Sequence, residues 1–323
     1  MREVIDFLVA CWSTGTLLRS VCGLVLIPAL AWFAVRIVAP HIARLENDPT
    51  WQAPLAACAA AIPGALLVIL ALEATVGGLQ AACLETFVGR VLFTIIIFVN
   101  CVALGRALLL GGRRSGEAST LIRWSDTATG RLAIASARIG ISARTIDEER
   151  PFCALAGTWN PTVIVSTGAL SKLSDRELDA ALLHERGHAH RGDQIIAAVL
   201  SFLVDLLPLP ATDLVAVYRR SREIAADRHA LENAQAYDLA GALLTFAKRR
   251  HISSGAAALV GDSSIRARLD LLLTDEPSAP ISIVRRSALA IALVMILSAG
   301  LAPASAAVLH PQPCDMDMTR LTR

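Results

Sequence analysis

The run His184-Glu185-Arg186-Gly187-His188 holds the residues of this 323-residue sequence best suited to chemistry. Just upstream, Ser174-Asp175-Arg176-Glu177 has the form of a capping box, a serine N-cap with a glutamate three residues on. A helix is expected to start there and to continue to His190. On a helix, residues four apart project from one face, which lets the imidazoles of His184 and His188 reach a single ion. Glu185 is next along and can reach a water on that ion without itself becoming a ligand. Zinc suits two such imidazoles and the neighbouring carboxylate suits a general base, which is the mechanical content of the HExxH pattern. Gly187 costs the helix about 1 kcal/mol in propensity, which points to a close approach of backbone or substrate there. The pattern alone is weak evidence, because a solvent-facing helix with two histidines and a glutamate carries the same letters.

A catalytic zinc requires a third protein ligand and an open position for water. The best candidate segment is Arg222-Glu223-Ile224-Ala225-Ala226-Asp227, in which Glu223 and Asp227 share one face of a predicted helix. Glu223 would be the third ligand, and Asp227 would hold a ligand histidine by its second ring nitrogen. The residues by themselves leave alternatives open: an exposed helical carboxylate for Glu223, and a salt bridge with Arg220 or Arg222 for Asp227. Tyr218, Arg222 and His229 are conceivable donors to a developing oxyanion, with ordinary helix surface as the competing reading.

The elements that would carry these residues divide between an apolar and a polar part of the chain. Apolar residues make up 54% of the sequence and the mean hydropathy is +0.55, whereas a soluble domain holds roughly 45–50% apolar residues. Four runs reach the roughly 20 residues that cross a bilayer: Ser20–Val38, Ala53–Val76, Val88–Leu110 and Ser287–Leu309. Val4–Leu18 is also apolar, but Arg19 interrupts it, and it is expected to lie along the interface. Arg36 and Arg44 follow the first run, Arg106, Arg113 and Arg114 follow the third, and Arg285 and Arg286 precede the fourth. The loop after the second carries Glu73 and Glu85, with only Arg90 at its edge. The positive-inside rule then puts the N-terminus outside, residues 111–286 in the cytosol and the tail outside. The expected fold class is a mainly α membrane protein, with transmembrane helices at those four runs plus a cytosolic α+β zincin-like metallopeptidase domain. Its units are 1–110 (three membrane helices), 111–286 (metallopeptidase domain), 287–309 (the last span) and 310–323 (an extracytoplasmic tail).

Within the cytosolic unit, Arg113-Arg114-Ser115-Gly116-Glu117 reads as a linker and Ser125–Ile139 as a helix. Phe152–Leu155 and Thr162–Ser166 are β-prone, and the chain from Ser174 onward is mainly helical. Ile195–Leu209 contains Asp205 and reads either as a core helix or as one that dips into the membrane. The net charge of +2 gives nucleic-acid binding no global electrostatic support. None of the seven cysteines forms a CxxC pair, which argues against a zinc ribbon or a thioredoxin-like site. Cys22, Cys58 and Cys101 read as packing residues. Cys83 and Cys314 would share the oxidising side, where a disulfide can form. With two acids and one arginine, Met1–Asp6 is a poor start for a cleaved signal peptide.

The ten residues from His184 to Asp193 resemble the HExxHxxRxD run of BlaR/MecR-type membrane metallopeptidases, and Glu223 to Asp227 matches that family's E-x-x-x-D element. Three spans, a cytosolic zinc domain and a fourth span also resemble its arrangement. Val163–Leu170, leading into the capped helix, is similar both there and in the related HtpX and CAAX-prenyl-protease type enzymes. The resemblance covers residues 85–235, and the rest by topology alone. It implies a single zinc ion held by His184, His188 and Glu223, with Glu185 as catalytic base. It further implies that Asp227 and Asp193 orient the ligand histidines, and it leaves His190 outside the metal shell. One departure is large: only His310–Arg323 follows the last span, without the penicillin-sensing domain and its SxxK serine motif, so direct β-lactam sensing is not expected.

The expected function is that of a zinc metalloendopeptidase in the cytoplasmic membrane, multi-pass, with its protease domain on the cytosolic side. It would act on a protein or peptide substrate: a regulator, a membrane protein or itself. The lipid bilayer is a partner, nucleic acid is not, and the oligomeric state is not set by the sequence. Phe152–Trp159 could be an edge strand that pairs with substrate. Arg113-Arg114, Arg150 and Lys248-Arg249-Arg250 could be cut sites only in the weak sense that they look exposed. A site-2 type intramembrane protease would carry its HExxH in a membrane helix, whereas Arg176–Asp193 is strongly charged. A non-catalytic receptor or scaffold with a structural or vestigial zinc site would not need Glu185. A transporter is disfavoured because the spans lack a paired intramembrane charge.

Overall fold

The computed structural model describes residues 27–45, 49–80, 87–206, 212–247, 258–273, 287 and 290–298. The readings made on Val4–Leu18, Cys22, Cys83, Cys314, Lys248–Arg250, Arg285–Arg286 and the tail lie outside these residues. Three helices come first: α1 (Ile27–Ala43), α2 (Pro49–Gln80) and α3 (Phe87–Arg123). They overlap the first three expected spans. Trp51–Leu72 of α2 is the one helix among the described residues that is long and apolar enough to cross a membrane.

The expected linker at Arg113–Glu117 is corrected: α3 runs through it without a break for 37 residues. Glycine lowers helix propensity without ending a helix, and no proline intervenes. Ser119 Oγ and Thr120 Oγ1 each donate to the carbonyl four residues back, at 2.8 Å, so the polar side chains bond within the helix. Cys58 and Cys101 are exposed, not packed inside. A run that is apolar all round does not tell the inward face of a helix from the outward one.

A four-stranded sheet follows, with β1 (Asp126–Thr127), β2 (Ala143–Ile146), β3 (Cys153–Ala156) and β4 (Thr162–Ser166) in the order β1-β2-β4-β3. β2 and β4 are parallel, and the other pairs are antiparallel. Central β4 is the apolar run of Val163, Ile164 and Val165, all fully buried, and β3 forms an edge. The helix expected over Ser125–Ile139 is shorter, α4 (Gly130–Ile139). Its first residues are captured by the sheet: Arg144 on β2 donates to Ser125 Oγ at 2.8 Å, and Asp126 and Thr127 pair with Thr145 and Arg144.

The remaining helices are α5 (Thr167–Lys172), α6 (Asp175–His190), α7 (Asp193–Leu206), α8 (Thr212–Leu231), α9 (Ala236–Ala247) and α10 (Ala258–Leu273), and residues 290–298 are also helical. Two apolar cores result. One joins α1, α2, Leu200 of α7, Leu214 and Tyr218 of α8, and Leu293. The other joins α4, β3, β4, α5, α6, Ala230 of α8 and α9. Helix α8 thus has its N-terminal half in the first core and its end in the second. Helix α7, the segment read as core or membrane-dipping, packs on α2 and α3 with Ile195, Ile196 and Val199 exposed. Its approach to α2 is so close that a Cβ on Gly64 would collide with the carbonyl oxygen of Leu203.

Candidate metal centre

Helix α6 begins on the capping box read from the sequence. Ser174 Oγ accepts from the Glu177 backbone N–H at 3.3 Å, and the Glu177 carboxylate accepts from the Ser174 N–H at 2.8 Å. Arg131 on α4 ties down the approach by donating to the carbonyls of Leu170 and Leu173 at 3.0 and 2.9 Å. With its start fixed, α6 buries Leu178, Ala181 and Leu182 in the second core and carries His184 and His188 towards α8. Gly187 marks that crossing, since a Cβ there would meet His229 Cδ2 at 3.1 Å and the Cα of Ala226 at 3.3 Å. The close approach inferred from its propensity cost is therefore one of backbone to helix α8.

Three side chains converge at the crossing. The Nε2 atoms of His184 and His188 lie 3.2 Å apart. Glu223, from the middle of α8, places Oε2 3.6 Å from His184 Nε2 and Oε1 3.5 Å from His188 Nε2. Among the described residues this is the one His/Cys/Asp/Glu cluster whose donor atoms could share a metal ion. The far nitrogens face carboxylates. His188 Nδ1 is hydrogen-bonded to Asp193 Oδ2 at 2.6 Å. His184 Nδ1 lies 2.9 Å from Asp227 Oδ1, an ion contact off the line of a good N–H···O bond. Asp193 reaches back because α6 ends in a left-handed turn at Gly192 (φ 64°), a conformation that glycine adopts without strain.

The donor set fits zinc on two grounds. A tetrahedral ion about 2.0–2.1 Å from each ligand holds the ligands about 3.3 Å apart, and the three separations here are 3.2, 3.5 and 3.6 Å. Carboxylates at both Nδ1 atoms assign the ring protons to that side, so the two Nε2 lone pairs face each other and an anionic carboxylate. Such an arrangement needs a cation. Without a metal the site takes a proton. Burial opposes a charge on His184, but its contacts with Asp227 and Glu223 outweigh this and push its pKa up to about 9. His188 is held below the ordinary imidazole value, mainly by burial and then by the neighbouring His184. Glu223 stays ionised well below the usual carboxylate range, because the histidines and Arg268 overcome its burial.

Glu185, beside His184 on α6, is in a different state. Burial is the main cause that raises its pKa, the charge of Glu223 adds to it, and His184, the Leu155 backbone and Arg222 oppose it; the outcome is about 7. A carboxylate that titrates near neutrality is suited to accept and return a proton. Edge strand β3 lies against α6, and its Leu155 carbonyl accepts from Gln194 Nε2 at 3.1 Å.

Sequence reasoning offered Arg220 or Arg222 as a cation for Asp227, and the structure corrects this to Arg268, which it did not single out. Arg268, on α10, is buried and donates to Asp227 through Nε at 2.7 Å and Nη2 at 2.6 Å, and to Glu223 Oε2 through Nη1 at 3.1 Å. No spacing rule connects position 268 to 227. Arg191 pairs with Asp193 at 2.9 Å, and Arg222 with Glu223 Oε1 at 3.2 Å. Of the other conceivable oxyanion donors, Tyr218 is buried, and its hydroxyl has no hydrogen-bond partner among the described residues. His229 packs on Gly187 and stacks with exposed His190, and neither ring belongs to the converging cluster.

No curated protein and no solved structure matches the chain. A protein-family model does, that of the BlaR1 peptidase M56, over residues 128–272. The match starts inside the segment 85–235 that carries the sequence resemblance and extends beyond it through α10, so that it takes in Arg268 as well as His184, Glu185, His188 and Glu223. For this segment the match supports the resemblance to the BlaR/MecR-type peptidases.

Proposed function

We propose that this chain is a membrane-bound zinc metalloendopeptidase that cleaves a protein substrate. The observation that carries this reading is the convergence of two imidazole Nε2 atoms and the Glu223 carboxylate at the spacing of zinc ligands, beside a glutamate that titrates near neutrality. His184, His188 and Glu223 would hold the ion, which when bound acidifies a water and polarises the scissile carbonyl. Glu185 accepts the proton of that water and returns it to the leaving amine nitrogen. Asp193 and Asp227 keep the Nδ1 protons in place, so that each Nε2 stays a lone-pair donor. Tyr218 and Arg222 lie closest in sequence to Glu223 among the candidate donors to the developing oxyanion. The substrate enters in extended form along the edge of β3, where it shares or displaces the bond between Gln194 and Leu155. Four membrane spans with the catalytic segment on the cytosolic side complete the reading, supported by the arginine distribution and by the outward apolar faces of α1, α2 and α3.

The test is the Glu185→Ala variant alongside Glu185→Gln in the full chain. Both should retain stoichiometric zinc and lose about 10²–10⁴-fold in cleavage rate. Comparing newly formed protein termini in cells that carry the active and the Glu185→Ala proteins would identify substrates, which include regulators, membrane proteins and the chain itself. Undiminished cleavage by both variants would reject the assigned base, and a wild-type protein that binds no zinc would reject the metal.

A further inference from the structure

Helix α10 contributes one buried cation to the metal centre, and its guanidinium touches two carboxylates at once. Nε and Nη2 of Arg268 form a two-pronged pair with Asp227 at 2.7 and 2.6 Å, while Nη1 reaches Glu223 Oε2 at 3.1 Å. Asp227 Oδ1, which receives Nη2, is also the oxygen 2.9 Å from His184 Nδ1. One planar group therefore fixes both the third ligand and the carboxylate behind the first. Helix α10 itself packs on α9, and α9 packs on α6, the helix of the two histidines.

From this geometry we propose that Arg268 is a positioning residue for the metal centre: it sets the orientation of Glu223 directly and that of His184 through Asp227, so that metal affinity depends on α10 being docked. The proposal rests on the zinc reading above. Lysine cannot reproduce the role, because an ammonium is a point charge without the rigid fork that spans two carboxylates. A residue needed only to neutralise buried acids would be replaced by lysine with little loss. A positioning residue would not.

The experiment compares wild type, Arg268→Lys and Arg268→Gln as full chains in detergent or nanodiscs. Zinc affinity is read by competition with a chromophoric chelator, and ligand geometry by the visible spectrum of the cobalt(II)-substituted protein. Thermal unfolding without metal reports folding independently. Loss of a group that orients metal ligands weakens metal binding about 10–100-fold. That range is expected for Arg268→Gln, with a smaller but clear loss for Arg268→Lys and a changed cobalt spectrum in both. If Arg268→Gln fails to fold, Arg268→Lys, which keeps the charge, decides alone. Zinc affinity within twofold of wild type and an unchanged cobalt spectrum in the folded variants would overturn the inference while leaving the zinc reading intact. Absence of zinc binding by wild type would instead sink the zinc reading on which it rests.

Discussion

The pKa of His184 ties metal binding to pH in a way that can be counted. In the metal-free protein its value is about 9, because contacts with Asp227 and Glu223 outweigh burial. His188 sits below the ordinary imidazole value and Glu223 well below the carboxylate range, so neither gains a proton between pH 7 and 9. Zinc needs the Nε2 lone pair of His184 and must therefore displace one proton there. Affinity should fall about tenfold per pH unit below 9, or about 100-fold by pH 7, which corresponds to about 3 kcal/mol. The sign for folding is the reverse. Because the folded pKa lies above the unfolded value of about 6.5, protonated His184 stabilises the metal-free protein fully below pH 6.5, and this stabilisation of about 3 kcal/mol is lost as pH rises through 9. Zinc titrations by chelator competition from pH 6.5 to 9.5, with calorimetry in two buffers of different ionisation enthalpy, would count the proton. An affinity that is flat from pH 7 to 9, or a release of two protons, would refute the assignment of charges in the site.

Two further substitutions probe the supports. Asp193→Asn removes the carboxylate 2.6 Å from His188 Nδ1 and should weaken zinc binding about 10–100-fold, as read by the same competition titration; an unchanged affinity would leave Asp193 without its orienting role. Gly187→Ala places a methyl 3.1 Å from His229 Cδ2 and 3.3 Å from the Cα of Ala226, so these neighbours must give by a few tenths of an ångström; the crowding should cancel the gain of about 1 kcal/mol in helix propensity, and a stabilisation of the metal-free fold by that full amount would contradict the close crossing of α6 and α8.

Local signals carried most of the site. The capping box at Ser174 and the four-residue spacing of the histidines are properties of one helix, and both could be read because helix geometry converts spacing into direction. Glu223 and Asp227 needed the family resemblance, since their face of α8 could equally have met solvent. What the sequence left hidden depends on pairing across long separations. β1 and β2 are short and polar, and they exist because Arg144 bonds Ser125 and because β2 lies beside β4. Arg268 lies 41 positions beyond Asp227 in the chain, on a helix whose sequence shows no feature that marks a metal site. In α3 the small residues near Gly116 suggested a break, but helix propensity is a weak preference beside the continuity of a long helix.

The placement of α8 explains why this site can be both rigid and dependent on distant helices. Leu214 and Tyr218 belong to the core built by α1 and α2, and Ala230 to the core built on the sheet. Glu223 and Asp227 fall between them, at the seam where neither core alone fixes the helix. Polar bonds span the same seam. Gln52 at the start of α2 donates to the carbonyls of Ile42 and Ala43 at 3.1 and 2.9 Å, closing the end of α1, and accepts from Ser221 Oγ at 2.6 Å, two residues before Glu223. These groups are buried, so leaving any of them unpaired would cost on the order of 1–3 kcal/mol. A shift of α1 against α2 that broke this junction would therefore act on α8 within one turn of Glu223, while Arg268 holds that carboxylate from the opposite end of the chain. The candidate metal centre is thus set by agreement between the apolar helices and α10, and the HExxH helix supplies only half of it.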